Sequence, residues 1–115
     1  NYNYNMELNE YQKKALRTAN YEEKYKIIYP VLGLGNEAGE VMGKVKKWLR
    51  GDDGEGVLSP ERKQALKEEM GDVFWYLAVL ARDLNLTLEE IADVNIKKLE
   101  SRQARGTIKG DGDTR

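Results

Sequence analysis

Two apolar stripes of identical spacing constrain the fold of this chain more than any other feature. Each stripe repeats at intervals of four and three residues, the spacing that places side chains on one face of an α-helix. The first stripe consists of Leu34, Ala38, Val41, Val45 and Trp48. The second consists of Leu66, Met70, Val73, Leu77 and Leu80, each 32 positions after its counterpart. No segment shows the strict alternation that predicts a strand. The sequence therefore predicts an all-α fold in which these two helices pack through their stripes.

Four helices are predicted in all, and residues typical of helix ends mark two of their starts. The expected ranges are Leu8 to Ala19, Pro30 to Arg50, Pro60 to Leu84 and Leu88 to Arg105. Ser59 before Pro60 is typical of an N-cap followed by the first helical position. Thr87 and Glu90 have the spacing of a capping box. The short connection from Gly51 to Pro60 favours antiparallel packing of the two central helices.

The predicted architecture is a four-helix bundle-like protomer that assembles with copies of itself. Residues 1–115 are expected to form a single domain, with 1–5 disordered and 106–115 a flexible tail. The run from Val73 to Ala81 is apolar all the way round, and such a helix must be buried on more than one side. A protomer of this size offers too little surface to cover it. We therefore expect at least a homodimer, or a dimer of dimers.

The chain contains no histidine and no cysteine, and this excludes several kinds of site. Catalysis by Ser-His-Asp or Cys-His arrangements is impossible, and nearly all zinc sites and the Glu-x-x-His di-iron sites are removed as well. Any metal must be held by oxygen, which points to Mg²⁺, Mn²⁺ or Ca²⁺. The lack of cysteine also fits a reducing compartment.

Charge and hydropathy exclude two classes of partner. The formal net charge is −1, so there is no broad basic field of the kind that binds nucleic acid polymers. The longest apolar run, Val73 to Ala81, is much shorter than the roughly 18 residues of a membrane span. No secretory signal is visible, and a cytoplasmic location is expected.

Two pairs of acidic residues have the same offset of 32 positions as the stripes. Glu37 and Glu40 belong to the second helix, and Glu69 and Asp72 to the third. At about 100° per residue, both acids of a pair lie on the same flank of the stripe. Antiparallel packing brings the two flanks to one side, so the four carboxylates are predicted to converge. Either pair alone is typical of a solvated helix face, but converging carboxylates repel one another and favour a bound divalent cation.

The acids form the motif Glu37-x-x-Glu40, a spacer of 28 residues, then Glu69-x-x-Asp72. This motif resembles the signature of the MazG-like nucleoside triphosphate pyrophosphohydrolases, an all-α superfamily, and the resemblance covers about Leu8 to Arg115. It implies Mg²⁺-dependent hydrolysis of an NTP or dNTP to the monophosphate and pyrophosphate, with Mn²⁺ as a possible substitute. It assigns the four acids to metal binding and catalysis, and it implies a role in housecleaning of the nucleotide pool.

The fourth helix carries Asn95-x-x-Lys98-x-x-x-Arg102, which looks like the substrate motif of the same family. Read without the family, Asn95 lies in an apolar stripe and is equally well explained by a satisfied core hydrogen bond. Lys98 and Arg102 are also explained as surface charges. Next to acids and a metal, contact with phosphate oxygens is the better interpretation for Lys98 and Arg102. The resemblance implies a substrate role for all three residues.

One position departs from the family pattern and leaves the catalytic base open. Some relatives have an additional acid directly before the first glutamate, where this chain has Asn36. Glu37 or a hydroxide on the metal could activate the water instead. Asn36 also keeps open a nucleotide-binding sensor without catalysis. A helical dimerisation or regulatory module, with a metal site that is structural or absent, is a separate alternative.

Overall fold

The computed structural model describes residues 5–52 and 56–106, and these form four α-helices without a strand. The helices are α1 (Leu8–Leu16), α2 (Ile28–Leu49), α3 (Pro60–Asp83) and α4 (Leu88–Ala104). A short 3₁₀ turn, Glu23–Tyr25, lies between α1 and α2. The predicted all-α class is confirmed. The expectations for 1–5 and 106–115, and for the middle of the 51–56 loop, fall largely outside the described residues.

Both predicted N-terminal caps are present. Ser59 accepts a hydrogen bond from the Arg62 backbone N–H at 3.0 Å, with Pro60 in the first turn of α3. In α4, the Thr87 hydroxyl accepts from the Glu90 N–H at 3.1 Å, and the Glu90 carboxylate accepts from the Thr87 N–H at 2.8 Å. Each cap stabilises its helix by about 1 kcal/mol. These local interactions therefore fix where α3 and α4 begin.

The first helix ends earlier than its sequence predicts. It stops at Leu16, whereas the apolar pattern extends to Ala19. Thr18 closes the helix, because its hydroxyl donates to the Ala15 carbonyl at 2.8 Å and its backbone N–H donates to the same oxygen at 3.0 Å. The segment that leads to α2 therefore begins directly after this turn.

The two long helices α2 and α3 are antiparallel, as predicted. Tyr29 near the start of α2 lies against Tyr76, with ring centroids 6.2 Å apart. Two turns further along α2, Glu37 meets Asp72 and Glu69. As the residue numbers along α2 increase, the residue numbers of their contacts on α3 therefore decrease.

The apolar stripes do not face each other across the centre of this contact, which differs from the prediction. Met70 is 61% exposed, and Ala38 is exposed as well. Instead, the ring of Tyr76 packs directly on Gly33. The side of α2 that carries Gly33 and Glu37 therefore faces α3. Because α2 is turned in this way, the stripes border one side of the helix pair and leave a groove there.

Helix α1 covers the opposite side of α3 and joins it to α4. Gln12 is buried, and its amide nitrogen donates to the carbonyls of Ala78 and Leu86, both at 3.1 Å. Its amide oxygen accepts from the Leu88 N–H at 3.1 Å. Trp75 packs against the same small core and donates its indole N–H towards α1. Gln12 thus ties three helices together at one point.

A buried carboxylate fixes the segment that enters α2. Asp83, only 5% exposed, accepts hydrogen bonds from the Tyr21 hydroxyl and from the Ile27 backbone N–H at 2.9 Å, and it pairs with Arg82. Ile27 has a φ of 70°, a conformation that is strained for a β-branched residue. Burial alone would raise the pKa of Asp83, but the three donors outweigh it and lower that pKa. Asp83 therefore holds the strained turn in place as a carboxylate.

Removing this carboxylate is expected to destabilise the fold. Asp83→Ala leaves the Ile27 N–H and the Tyr21 hydroxyl without their acceptor, at a cost of about 2–3 kcal/mol. Because the folded-state pKa is lowered, the stabilisation is present above the unfolded-state pKa and is lost as pH falls through the folded-state value. Urea unfolding across acid pH should therefore show a shallower loss of stability in Asp83→Asn than in the wild type. As a control, Asp93→Asn removes only the exposed pair with Lys97 and should cost less than about 0.5 kcal/mol.

Candidate metal centre and active site

Three of the four predicted acids converge between α2 and α3. Glu37, Glu69 and Asp72 each offer one carboxylate oxygen, and these oxygens all lie within 4.8 Å of one another. Glu69 and Asp72 are three residues apart, so they share one face of α3. The antiparallel packing then brings Glu37 of α2 against that face. Glu37 and Glu69 are half-buried, whereas Asp72 remains open to solvent.

The carboxylates affect one another electrostatically. Partial burial, followed by the negative charges of Asp72 and Glu69, raises the pKa of Glu37. The other groups that act on it are also acids, and no Lys or Arg of the described ranges is among them. Such a cluster is repulsive by itself and would be stabilised by a cation.

The donor set fits a hard divalent cation. Mg²⁺ binds oxygen ligands at about 2.0–2.1 Å, so two ligands on opposite sides of one ion lie roughly 4.2 Å apart. Three oxygens within 4.8 Å of one another need only small side-chain rotations to reach that geometry. The open side at Asp72 leaves room for water and for a phosphate ligand. Glu37, Glu69 and Asp72 are therefore the residues that would hold the metal.

The fourth predicted acid, Glu40, lies outside this group of three. Its side chain is exposed, yet its charge contributes to the raised pKa of Glu37. It follows Glu37 by one helical turn, so it borders the same site from the solvent side. Its assignment as a metal ligand remains a prediction.

The residues predicted to bind substrate lie on α4, which packs against α1 and α3. Asn95 is exposed and thus does not have the core position that the stripe of α4 suggested. Lys98 is half-buried, and Arg102 is only 3% exposed. None of the three is among the groups that shift the pKa of Glu37. Their substrate role also remains a prediction.

Comparison with known proteins agrees with this geometry. The family model described as the MazG nucleotide pyrophosphohydrolase domain matches residues 30–106, which include all four acids and the α4 motif. The chain belongs to the MazG nucleotide pyrophosphohydrolase family. It is also similar to the Gene 37 protein of Mycobacterium phage L5, with 47% identity over 87 residues that cover 76% of this chain and 75% of that protein. No solved structure matches. Within the described ranges, no helix is long and apolar enough to cross a membrane.

The MazG domain also places aromatic residues beside the acids, which the sequence analysis did not single out. Tyr76 lies on the same face of α3 as Glu69 and Asp72. Burial, and then a hydrogen bond with Tyr29, raise the pKa of Tyr76 to about 12, and the charges of Glu37 and Asp72 add to this shift. The spacing of four and seven residues from the acids was the signal that could have revealed Tyr76.

Close approach of Tyr76 to α2 depends on one glycine. A Cβ atom at Gly33 would overlap the Tyr76 ring. At Gly35, Gly39 and Gly43, by contrast, no described atom beyond the neighbouring residues and backbone of α2 itself lies within 4 Å of an added Cβ. Gly33 is therefore the glycine that the packing of α2 on α3 requires.

Gly33 and Gly35 offer a matched pair of substitutions in this MazG domain. Gly33→Ala is expected to cost about 1–3 kcal/mol, because the Tyr76 ring must move to make room for the methyl group. Gly35→Ala meets open space and should stabilise the helix by up to about 1 kcal/mol. Thermal and urea unfolding measure both changes. Equal effects of the two substitutions would contradict the contact between Gly33 and Tyr76.

The groove beside the helix contact is almost entirely apolar. It has a volume of about 580 Å³. Its walls are formed by Ala38, Val41, Met70, Gly71, Val73, Phe74 and Leu77, most of which belong to the two stripes. Large apolar side chains elsewhere on α2, such as Leu32 and Met42, are also more than 60% exposed. Extended apolar surface of this kind is typical of sites that bind a partner or a ligand.

Proposed function

We propose that the chain hydrolyses a nucleoside or deoxynucleoside triphosphate to the monophosphate and pyrophosphate in the presence of Mg²⁺. The observation that carries this proposal is the convergence of Glu37, Glu69 and Asp72 within 4.8 Å in a chain of the MazG family. We also propose that Glu40 completes the metal-binding set, that Mn²⁺ can replace Mg²⁺, and that the reaction serves housecleaning of the nucleotide pool in the cytoplasm.

The overall reaction adds one water to the α-phosphorus of the substrate. A bond forms between the water oxygen and the α-phosphorus, the bond to the bridging oxygen of the β-phosphate breaks, and pyrophosphate leaves with that oxygen. Bound Mg²⁺ would supply neutralisation of the triphosphate charge and activation of the water. The protein keeps three carboxylates close together although they repel one another. The site therefore favours binding of cations before the substrate binds.

Asn95, Lys98 and Arg102 are proposed to bind the substrate. Lys98 and Arg102 carry the positive charge that suits phosphate oxygens, and an arginine can contact two of these oxygens at once. Because α4 packs mainly against α1 and α3, and Glu37 lies on α2, we propose that a second copy of the chain completes the substrate site.

We further propose that the chain acts as a homodimer or a dimer of dimers. The apolar groove of the α2–α3 pair supports this, since it exposes side chains that a lone protomer does not cover. In a two-fold dimer the same face of each copy contacts the other, so the grooves of two copies can cover each other.

The proposal is tested by incubating the protein with Mg²⁺ and a panel of NTPs, dNTPs and damaged nucleotides. Separate assays for monophosphate and pyrophosphate should show equal amounts of both products for at least one nucleotide, and none after addition of EDTA. Release of inorganic phosphate in place of pyrophosphate would point to attack at another phosphorus. No turnover of any nucleotide would contradict the enzymatic function.

A further inference from the structure

Three tyrosines form a continuous series of ring contacts next to the acidic cluster. The rings of Tyr21 and Tyr29 stack with centroids 5.0 Å apart and planes 25° from parallel. Tyr29 in turn lies 6.2 Å from Tyr76, at an interplanar angle of 51°. Tyr76 is packed on Gly33, one helical turn before Glu37. The series therefore leads from the metal-binding acids to the segment that precedes α2.

The far end of this series opens into a cavity of about 650 Å³. Its walls include Asn20, Tyr21, Tyr25, Ile28, Tyr29 and Leu32. Tyr25 and Tyr29 are 46% and 45% exposed, so parts of their side chains are accessible from solvent. The acidic member of the rim, Glu22, is paired with Lys24 at 3.4 Å. The cavity is thus lined mainly by aromatic and aliphatic side chains.

We propose that this tyrosine cavity binds the nucleobase of the substrate. The inference rests on the proposed hydrolysis of a nucleoside triphosphate, and it assigns the part of the substrate that the acids do not bind. A nucleobase is flat, uncharged and apolar on its faces, so it is recognised by stacking on aromatic rings. The cavity offers such rings, whereas the acidic cluster offers only charge.

The separation between the two sites suits one nucleotide. Tyr29 precedes Glu37 by eight residues, which corresponds to about 12 Å along the axis of α2. Tyr76 is close to both sites, because its ring lies 6.2 Å from that of Tyr29 and the charges of Glu37 and Asp72 act on its hydroxyl. A nucleotide held by its phosphates at the acids can therefore extend its sugar along α2 and reach the rings with its base.

The rings are held in position before a ligand arrives. The hydroxyl of Tyr21 donates to the buried Asp83 carboxylate, which also accepts from the Ile27 N–H. The strained turn at Ile27 and the ring of Tyr21 are therefore fixed by the same acceptor. Asn20, at the edge of the cavity, has an amide that can both donate to and accept from the polar edge of a base.

Binding measurements with Tyr29 variants test this assignment. Tyr29→Leu should weaken the affinity for α,β-imido-dNTPs in Mg²⁺ by about 10-fold, as expected for the loss of one stacking partner. Tyr29→Phe keeps the ring and should restore the affinity. Inorganic tripolyphosphate has no base, so its affinity should be the same for the wild type and Tyr29→Leu. Calorimetric titration measures the affinity of each protein for each ligand, and circular dichroism verifies that the variants are folded.

Three results would overturn the inference. Unchanged affinity of Tyr29→Leu for every α,β-imido-dNTP would show that the ring does not contact the base. An equal loss of affinity for tripolyphosphate would show that the substitution acts through the metal site. A changed molecular mass with unchanged nucleotide affinity would show that the cavity is a contact between copies.

Failure of the proposed base-binding cavity can be distinguished from failure of the proposed hydrolysis. Nucleotide binding that depends on Tyr29, without any turnover, would support the cavity and contradict the hydrolase. Turnover of a nucleotide that Tyr29→Leu binds as tightly as the wild type would support the hydrolase and overturn the cavity.

Discussion

Replacing Glu69 by glutamine is expected to reduce kcat by about 100- to 1,000-fold in Mg²⁺, the range for removing one group that stabilises developing charge. Glu69 contributes one of the three oxygens that lie within 4.8 Å of one another, and an amide oxygen carries no formal charge to offset that of the cation. The fold should persist, because the substitution also removes one of the negative charges that act on Glu37. The metal-free variant should therefore be at least as stable as the metal-free wild type.

Glu68 provides the matched control for this experiment. It precedes Glu69, is exposed and does not belong to the acidic cluster, so Glu68→Gln changes the net charge equally without changing the site. A second measurement separates catalysis from binding. Mg²⁺ should raise the unfolding temperature of the wild type and of Glu68→Gln, because a cation that binds only the folded state stabilises it. Glu69→Gln should lose most of this shift. Full activity of Glu69→Gln, or equal losses in both variants, would contradict the metal assignment.

The convergence of the acids could be predicted from the sequence because two of the quantities on which it depends can be derived from the sequence. The helical repeat fixes the angle between each acid and its apolar stripe, and the short connection before Pro60 fixes the antiparallel direction. Both hold in the structure, and three of the four acids meet. The caps at Ser59 and Thr87 were equally accessible, since each involves residues three positions apart.

The rotation of the helices about their axes could not be predicted in the same way. Periodicity gives angles within one helix, whereas the contact between two helices depends on which side chains fit together. Here a ring and a glycine, Tyr76 and Gly33, decide the fit and turn the stripes towards one side. The conformation of the segment before α2 could not be predicted either, because Ile27 is held by a hydrogen bond to Asp83, which is distant in sequence.

Introducing a charge into the apolar groove is expected to break the proposed assembly of protomers. Met70 is 61% exposed in the single chain, so Met70→Glu would change the stability of an isolated protomer by no more than about 0.5 kcal/mol. If a second copy covers the groove, the same carboxylate must be buried without a partner, at a cost of several kcal/mol. A two-fold arrangement would repeat that cost in both copies. The dissociation constant should therefore rise by at least about 1,000-fold, since each 1.4 kcal/mol is a factor of ten.

Light scattering coupled to size-exclusion chromatography measures this effect over a range of protein concentrations. The wild type should have the mass of a dimer or a tetramer, and Met70→Glu the mass of a monomer. Val57→Glu is the control, because Val57 is also 61% exposed and lies in the loop before α3, outside the groove. It should keep the mass of the wild type. A monomeric wild type would contradict assembly through the groove. The same mass for Met70→Glu and the wild type would also contradict it, because burial of the unpaired carboxylate costs enough to separate the copies.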